Sequence, residues 1–488
     1  MADPRPNILF VLTDDHAAHA MSCYGSELNQ TPSLDRIADE GIRFDRAACT
    51  NALCAPSRAT ILTGTHGHRH GMMTLTTSFD SAQPTFPALM QQAGYRTALF
   101  GKWHLGHGPG HDPVGFDEWQ ILDGQGDYDD PELIGPGGRT QHTGYVTDIL
   151  ADLALDWLAQ QSGEQPWLLL LWHKAPHRRW FPGPHEQHLY HDVTFPEPYT
   201  LFDDYAGRAQ AAEEAAIRVG RDLDELDVKT AIPDFDSEAE RTSWFYQRYI
   251  GDYLRCVAGV DRTTGRLLDH LDASGQAQRT VVTYASDQGF FLGDHGWFDK
   301  RFMYADSLRI PLVMRFPAEI PAGSVSTDLA LNLDLAQTFL DYAGVEAPQR
   351  MQGQSLRPIC RGDEVAWRDH SYYRYWEHLK AGVGAHVGVQ TERYKLIHYY
   401  GQALGVTGAV DDPRVPEWEL FDLEADPQEL RSLHDDPAHK QVREELTTLL
   451  VTAIADADDV PPPSLAHLTS SMGPQSESSD HGREGVDR

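Results

Sequence analysis

The stretch TNALCAPSRATILTG at residues 50–64 contains a residue with nucleophilic and redox chemistry, Cys54. Pro56 suits the first turn of a helix and Gly64 suits its end, so the pattern predicts a helix that begins close to the cysteine. The start of a helix favours an anion, because its free N–H groups and its dipole are positive there. Arg58 lies one turn further on and can point back to the same place. The stretch predicts a reactive position beside a cation, with a small buried core cysteine as the alternative.

Polar residues follow four short apolar runs, and each run is typical of a strand buried on both faces of a parallel sheet. The runs are NILFVL from residue 7, YRTALF from 95, WLLLLW from 167 and RTVVTYA from 279. The residues that follow them are Asp14 and Asp15, Lys102 and His104, His173 and His177, and Asp287 and Gln288. Because open α/β sheets bind ligands at the carboxyl ends of their strands, we expect these side chains to meet at one edge of the sheet.

The first of these groups, Asp14 and Asp15, is a pair of adjacent carboxylates. Such carboxylates repel each other unless a cation or water lies between them, and hard divalent cations take oxygen ligands of this kind. The pair therefore indicates a site for a hard divalent cation. An Asp-rich turn at the end of the strand is the alternative interpretation.

The motif C-x-P-S-R followed by A-x-x-L-T-G resembles the signature of the type I sulfatases, and residues 54–58 match it without departure. Other segments match in the family's order: G-K-x-H-L-G at 101–106, x-P-H-x at 175–178, G-x-H-G at 293–296, and F-D-L-x-x-D-P-x-E at 421–429. The resemblance implies an alkaline phosphatase-like α/β fold, with a large, mostly parallel sheet sandwiched by helices and a smaller C-terminal antiparallel sheet. It also implies that the protein hydrolyses a sulfate ester to an alcohol and inorganic sulfate.

The resemblance assigns the nucleophile and the metal ligands. Cys54 would be oxidised to Cα-formylglycine by a formylglycine-generating enzyme, and the hydrated aldehyde would attack sulfur to give a covalent sulfate. A divalent cation, calcium by resemblance with magnesium as the alternative, would be held by Asp14, Asp15, Asp287 and Gln288. The family carries Asn or His where this chain has Gln288, so the longer arm of glutamine is a departure from the pattern.

The resemblance also assigns the charged and proton-transferring residues. Arg58, Lys102 and Lys300 would neutralise the sulfate and the charge that builds as sulfur is attacked. His177 or Lys300 would protonate the leaving oxygen, and His104 would take a proton from the second hydroxyl of the nucleophile so that sulfate is released.

The substrate class rests on two segments, K-A-P-H-R-x-W at 174–180 and D-K-R-F-M-Y at 299–304, which resemble those of carbohydrate sulfatases. His173, Arg178 and Trp180 would then contact a sulfated sugar, and His173 stays open as the alternative to His177 at the sulfate. Two other functions stay open: a phosphonate or phosphate monoester hydrolase of the same superfamily, and a non-catalytic pseudo-sulfatase that binds anions.

The order of elements predicts a catalytic domain over residues 1–360, in which residues 181–243 form a long insertion over the active face. Alternating strand patterns followed by a helix predict a small C-terminal subdomain at 361–455. Residues 456–488 are polar and rich in Pro, Ser and Gly, so we expect them to be disordered.

Composition excludes several other functions for this chain of 488 residues. A formal net charge of −33 argues against binding of nucleic acid by a basic surface, and no apolar run reaches the roughly 20 residues needed to cross a bilayer. The five cysteines follow neither a disulfide nor a CxxC pattern. The N-terminal residues lack the features of a secretion signal, so we expect a cytoplasmic protein. A homo-oligomer is left open.

Overall fold

The computed structural model describes residues 3–161 and 163–469. The strands are β1 (Asn7–Thr13), β2 (Ile42–Phe44), β3 (Ala47–Ala48), β4 (Arg96–Gly101), β5 (Glu118–Leu122), β6 (Glu132–Gly135), β7 (Gly138–Gln141), β8 (Trp167–Trp172), β9 (Thr280–Ser286), β10 (Phe291–Leu292), β11 (Phe298–Asp299), β12 (Leu312–Arg315), β13 (Ser324–Ser326), β14 (Ala330–Leu331), β15 (Ser371–Tyr375), β16 (His386–Gln390), β17 (Tyr394–Tyr399) and β18 (Glu417–Asp422).

The α-helices are α1 (Pro32–Asp39), α2 (Cys54–Thr63), α3 (Gly67–His70), α4 (Phe86–Gln92), α5 (Val146–Leu158), α6 (Gln210–Glu214), α7 (Val219–Asp222), α8 (Glu225–Val228), α9 (Glu238–Ala273), α10 (Ala305–Leu308), α11 (Asp334–Tyr342), α12 (Arg357–Cys360), α13 (Lys440–Asp456) and α14 (Ala466–Thr469). Short 3₁₀ helices lie at Ala18–Ala20, Ser22–Tyr24, Ala277–Arg279, Asp294–Gly296, Pro437–His439 and Pro463–Leu465. Within the described residues, no helix combines the length and the apolar character that crossing a membrane would require.

A ten-stranded mixed sheet forms the centre of the molecule, in the order β13-β2-β12-β9-β1-β8-β4-β5-β6-β7. The four predicted strands lie side by side and parallel in its middle, where Leu9 of β1 is opposite Leu169 of β8 and Val282 of β9. Every residue of β1 is buried, as a strand covered on both faces requires. This arrangement confirms the predicted fold class.

Helices cover both faces of the large sheet, and the alternation of side chains along β1 divides the core in two. Ile8, Phe10 and Leu12 pack in one cluster with residues of α2, α4 and α11, whereas Leu9 and Val11 pack in the other with residues of α1, α5 and α9. The long helix α9 begins at Ser237, whose hydroxyl accepts a hydrogen bond from the N–H of Glu240.

The C-terminal sheet contains four antiparallel strands in the order β15-β16-β17-β18. One face packs against α13, where Leu446, Leu450 and Ile454 bury Val387 and Leu420. The other face joins the core of the large sheet through aromatic residues. The separate small sheet was predicted, but β15 was not.

Within residues 181–243, the short helices α6 and α7 are separated by residues 215–218. One local prediction was wrong. Residues 457–469, expected to be disordered, include a 3₁₀ helix and α14, and Ala457 and Leu465 pack in the C-terminal core. The rest of the predicted disordered segment, 470–488, lies outside the described residues. The domain boundary at residue 360 stays a prediction.

Candidate active site

The carboxyl ends of β9, β1, β8 and β4 lie next to one another and bring the predicted residues to one edge of the sheet. Backbone hydrogen bonds continue the register past the strand ends: the N–H of Asp287 donates to Thr13 O at 3.1 Å and the N–H of Lys102 to Trp172 O at 2.7 Å. Gly101 has φ +120°, and a Cβ there would lie 1.9 Å from Trp172 O. Only glycine therefore lets Lys102 approach the neighbouring strand.

Cys54 reaches the same edge from α2, which begins at the cysteine and ends at Gly64 in the left-handed conformation. The side chain lines a cavity of 190 Å³ together with Asp15, His177 and Lys300. Burial raises the pKa of the Cys54 thiol to about 12. An unmodified thiol would therefore stay protonated at neutral pH and would be a poor nucleophile.

Three carboxylates and one amide form a buried oxygen-rich cluster next to this cavity: Asp14, Asp15, Asp287 and Gln288. Gln288 Nε2 donates to Asp15 Oδ1 at 2.5 Å and to Asp14 Oδ1 at 3.3 Å, and the N–H of Asp15 donates to Asp287 Oδ1 at 3.3 Å. Burial raises the pKa of Asp15 to about 6, although Lys300 acts in the opposite direction. The three carboxylates carry negative charge that the neutral amide of Gln288 does not balance.

The oxygen donors of this cluster fit a hard divalent cation. Asp14, Asp15 and His177 can bring one ligand atom each to within 4.8 Å of the others. The Gln288 Oε1 atom is buried and has no hydrogen-bond partner within residues 3–161 and 163–469, so an amide oxygen is available beside the carboxylates. Carboxylate and amide oxygens are the ligands that calcium and magnesium prefer.

Three basic residues surround the carboxylates. Arg58 Nε lies 2.9 Å from Asp287 Oδ2, and its Nη1 donates to Lys102 O at 2.5 Å. Lys102 Nζ contacts Asp14 and Gln125, and Lys300 Nζ lies 2.6 and 2.7 Å from the two carboxylate oxygens of Asp15.

The two lysines differ in the direction of their pKa shifts. Burial lowers the pKa of Lys102 well below its usual value. For Lys300 burial acts in the same direction, but the carboxylates of Asp15 and Asp299 outweigh it and raise the pKa. Lys300 is therefore held as a cation by Asp15 and Asp299, and the counter-charge for Lys102 is the carboxylate of Asp14 that its Nζ contacts.

The structure separates the two candidate histidines. His177 lines the cavity with Cys54, and its Nε2 is 3.8 Å from Asp15 Oδ2. His173 is fully buried, and in the part of the chain that the structure describes neither of its ring nitrogens has a hydrogen-bond partner. Burial lowers the pKa of His177 and of His104 well below the usual value, so both imidazoles are neutral and can accept a proton. Of His173 and His177, it is His177 that has the position to meet a ligand in the cavity.

The predicted substrate contacts Arg178 and Trp180 occupy different environments. Arg178 lines the cavity and is held by Asp227 of the insertion, with Nε–Oδ1 and Nη2–Oδ2 distances of 2.6 and 2.5 Å. Trp180 is fully buried and packs against Tyr249 and Phe290. Because no surface of Trp180 is open to the cavity, the structure contradicts its prediction as a substrate contact; it is a packing residue behind the site.

Three residues at the site were not assigned from the sequence: Gln125, Asp299 and Arg301. Asp299 and Arg301 flank Lys300 and line the cavity, so their place next to a motif was a usable signal. Arg301 is fixed by Glu377 and Tyr375 of the C-terminal sheet, with both contacts at 3.0 Å. Gln125 lies in a loop with no motif, and only the folded chain brings it to Lys102.

Comparison with known proteins agrees with this geometry. A model of the sulfatase family matches residues 6–345, and a model described as N-sulphoglucosamine sulphohydrolase, C-terminal, matches residues 293–456. The N-acetylglucosamine-6-O-sulfatase of Bacteroides thetaiotaomicron is 42% identical over 493 residues, covering 91% of this chain and 86% of that protein. The N-acetylglucosamine-6-sulfatase of Homo sapiens is 29% identical, covering 76% of this chain and 67% of that protein.

Solved structures show the same similarity. A protein in complex with its substrate D-glucosamine-2-N,6-O-disulfate has a TM-score of 0.88 at 41% identity, and the match covers 94% of this chain and 99% of that one. A phosphonate monoester hydrolase from Silicibacter pomeroyi shares the fold, with a TM-score of 0.73 at 22% identity over 95% of this chain and 97% of that one. The family match over residues 6–345 and the relative at 42% identity show that this chain belongs to the sulfatase family, whose members hydrolyse sulfate esters.

Proposed function

We propose that this protein removes the 6-O-sulfate of glucosamine residues that carry an N-acetyl or an N-sulfo group. The observation that carries the proposal is the position of Cys54, which lines a cavity walled by Asp15, His177 and Lys300. The substrate class is supported by a relative at 42% identity, an N-acetylglucosamine-6-O-sulfatase, and by a structural neighbour at 41% identity whose substrate is D-glucosamine-2-N,6-O-disulfate.

The proposal includes a modified nucleophile and a bound cation. Conversion of Cys54 to formylglycine by a formylglycine-generating enzyme is supported by the C-x-P-S-R motif at residues 54–58, and the raised pKa of the thiol would leave the unmodified side chain unreactive. Asp14, Asp15, Asp287 and Gln288 would hold a divalent cation, calcium before magnesium. When bound, the cation would polarise the sulfate oxygens and lower the pKa of the hydrated aldehyde.

The basic residues of the site neutralise the substrate. A sulfate group carries one negative charge, and more negative charge builds on its oxygens and on the leaving oxygen as sulfur is attacked. Lys300 is held as a cation by Asp15, and Arg58 is fixed by Asp287, so both present charge without reorganising. The ammonium of Lys102, which contacts Asp14, would add positive charge for the sulfate oxygens.

Proton transfer would fall to three residues, His177, Lys300 and His104. His177 or Lys300 would give a proton to the leaving sugar oxygen, and both line the cavity with Cys54. Lys300 carries that proton in the resting site, whereas His177 must first take one up, since burial favours its neutral form. His104, neutral for the same reason, would act as the base that releases sulfate.

The test is turnover by protein produced together with a formylglycine-generating enzyme. We expect sulfate release from N-acetylglucosamine 6-sulfate and from glucosamine 2-N,6-O-disulfate, and loss of this activity with a chelator that added calcium reverses. The peptide containing Cys54 should show the mass of formylglycine. A higher kcat/KM for an aryl phosphonate than for every sulfate ester tested would instead support the phosphonate hydrolase. Complete modification of Cys54 without any turnover would support the pseudo-sulfatase.

A further inference from the structure

A second cavity opens next to the one that contains Cys54. Its volume is 460 Å³, against 190 Å³ for the Cys54 cavity, and both are lined by His177 and Arg178. The remaining lining residues of the second cavity are Gly126, Asp127, Tyr128, Lys174, Arg179 and Phe181. A sugar whose sulfate lies beside Cys54 would therefore extend past His177 into a second space that has its own charged groups.

Lys174 is the unusual residue of the second cavity. It is 4% exposed, and its ammonium donates to Gln125 O at 3.0 Å and lies 4.9 Å from the centre of the Tyr128 ring. Neither partner is a carboxylate, and among residues 3–161 and 163–469 Lys174 forms no ion pair. A buried ammonium without a counter-ion is costly, and an anion brought by a ligand would remove that cost.

The other charges of the cavity are either paired or exposed. Arg178 is bound through two hydrogen bonds to Asp227, and the guanidinium of Arg179 lies 3.5 Å from Asp224. Asp127 is exposed to solvent, where water screens its charge. Lys174 is thus the buried cation of this cavity that a ligand can pair with.

We propose that Lys174 binds a second anionic group of the substrate, the N-sulfo group at C2 of a 6-O-sulfated glucosamine, while the 6-O-sulfate occupies the Cys54 cavity. This inference rests on the proposed function. Lys174 would act as a specificity-determining residue that favours N-sulfated over N-acetylated sugars, because an N-acetyl group offers the ammonium no negative charge. The tyrosine hydroxyl of Tyr128, which donates to His177 O at 2.7 Å, would hold the two cavities in a fixed relation.

The test compares two substrates that differ at C2, N-acetylglucosamine 6-sulfate and glucosamine 2-N,6-O-disulfate, for wild type and for Lys174→Met. We expect kcat/KM for the disulfate to fall about tenfold to a hundredfold, mainly through KM, because a charged hydrogen bond is lost. For the N-acetylated sugar we expect a change of at most about threefold. Lys174→Arg should restore part of the preference, and Lys440→Met, which removes an exposed lysine of α13, should change neither substrate.

A binding measurement separates this inference from the proposed function. In a Cys54→Ser background, titration calorimetry with the disulfate should show weaker binding when Lys174→Met is added, with no matching loss for the N-acetylated sugar. Equal losses for the two sugars, in turnover or in binding, would overturn the role of Lys174. If wild type turns over neither sugar but binding remains selective, the proposed function fails and the anion site stands. Thermal unfolding of each variant shows whether it is folded.

Discussion

Buried charges are arranged differently at the catalytic edge of the large sheet and in the C-terminal sheet. At the catalytic edge, Asp15 shares its carboxylate between Lys300 and Gln288, within a cluster that contains two further carboxylates. Next to the C-terminal sheet, Asp459 accepts hydrogen bonds from Arg374 at 2.9 Å and from the hydroxyl of Tyr372 at 2.7 Å.

The difference indicates what each group of charges is for. The pair of Arg374 and Asp459 is buried and lies outside the cavity lined by Cys54, so removal of one partner should affect folding and not chemistry. At the catalytic edge, by contrast, three carboxylates crowd around the amide oxygen of Gln288, which has no hydrogen-bond partner among the described residues. Such a group of oxygens suits a bound cation, so changes there should affect chemistry more than folding.

The largest effect is expected at the nucleophile. Cys54→Ala removes the side chain that becomes the proposed aldehyde, and we expect kcat/KM on a 6-O-sulfated sugar to fall by at least about 10⁴-fold. Because the cysteine lines a cavity, its loss should change thermal unfolding little. The matched control is Cys49→Ala, another buried cysteine, whose thiol donates to Ser307 O at 3.9 Å and which does not line the Cys54 cavity. A comparable fall in kcat/KM in Cys54→Ala and Cys49→Ala would contradict the assignment of the chemistry to Cys54.

The next effect is on stability in the C-terminal sheet. Asp459 accepts hydrogen bonds from Arg374 and from the hydroxyl of Tyr372, and the Arg374 and Asp459 side chains are 4% and 2% exposed. Asp459→Asn leaves Arg374 as an uncompensated buried charge, which costs about 3–5 kcal/mol of unfolding free energy. We expect kcat/KM of the folded enzyme to stay within about twofold of wild type.

The neighbouring residue supplies the control for this variant. Asp458 pairs with Arg69, but its side chain is 74% exposed, so Asp458→Asn should cost at most about 1 kcal/mol. Denaturant unfolding of the two variants measures the contrast. A fall in kcat/KM of the folded Asp459→Asn enzyme by much more than twofold would mean that the C-terminal sheet takes part in the chemistry.

The sequence predicted the parts of the molecule that depend on local pattern. The central strands are continuous apolar runs, and the residues after them reach one edge because parallel strands end together. The start of α2 at Cys54 and its end at Gly64 follow from short-range preferences in the same way. The metal ligands and the basic residues came mainly from the motif match, which the geometry accommodates.

Long-range contacts account for what the sequence left open. Gln125 meets Lys102 and Glu377 meets Arg301 only after loops far apart in the chain have packed, and no periodicity records such contacts. Trp180 was wrongly predicted because its place beside a motif says nothing about which way the side chain faces. Residues 457–469 looked too polar to fold, yet Asp459 is buried because Arg374 supplies its counter-charge.

A smaller effect is expected at the departure from the family pattern. Gln288→Leu removes the amide oxygen that lies unpartnered beside Asp14 and Asp15, and we expect the affinity for calcium to fall about tenfold to a hundredfold. The measurement is recovery of activity as calcium is added back after treatment with a chelator. Gln288→Asn keeps an amide oxygen on a shorter side chain, so its calcium affinity should lie between those of wild type and Gln288→Leu. An unchanged calcium dependence in Gln288→Leu would show that this amide is not a ligand.

The smallest effect concerns pH and again separates the two regions. His386 of β16 is fully buried among aromatic rings that include Tyr373, Tyr399 and Phe302, and burial lowers its pKa to about 4. A histidine whose pKa is lowered by folding contributes stability above its unfolded pKa of about 6.5, and this contribution is lost as the pH falls below that value. For His386 the loss between pH 7.5 and pH 5.5 is roughly 1 kcal/mol.

His386→Phe keeps the aromatic packing and removes this titration, so its unfolding free energy should fall less than that of wild type over the same pH interval. The informative quantity is the slope of the unfolding free energy against pH. The substitution also removes the hydrogen bond between His386 Nδ1 and Gly384 O, but that loss does not change with pH as the titration does. His188→Phe, at an exposed position, should leave the slope as in wild type. Since His386 lies in the C-terminal sheet, the pH profile of kcat/KM should be the same in both proteins. A shift of that profile in His386→Phe would mean that the C-terminal sheet reaches the catalytic edge electrostatically, through the loop that carries Phe302 and Lys300.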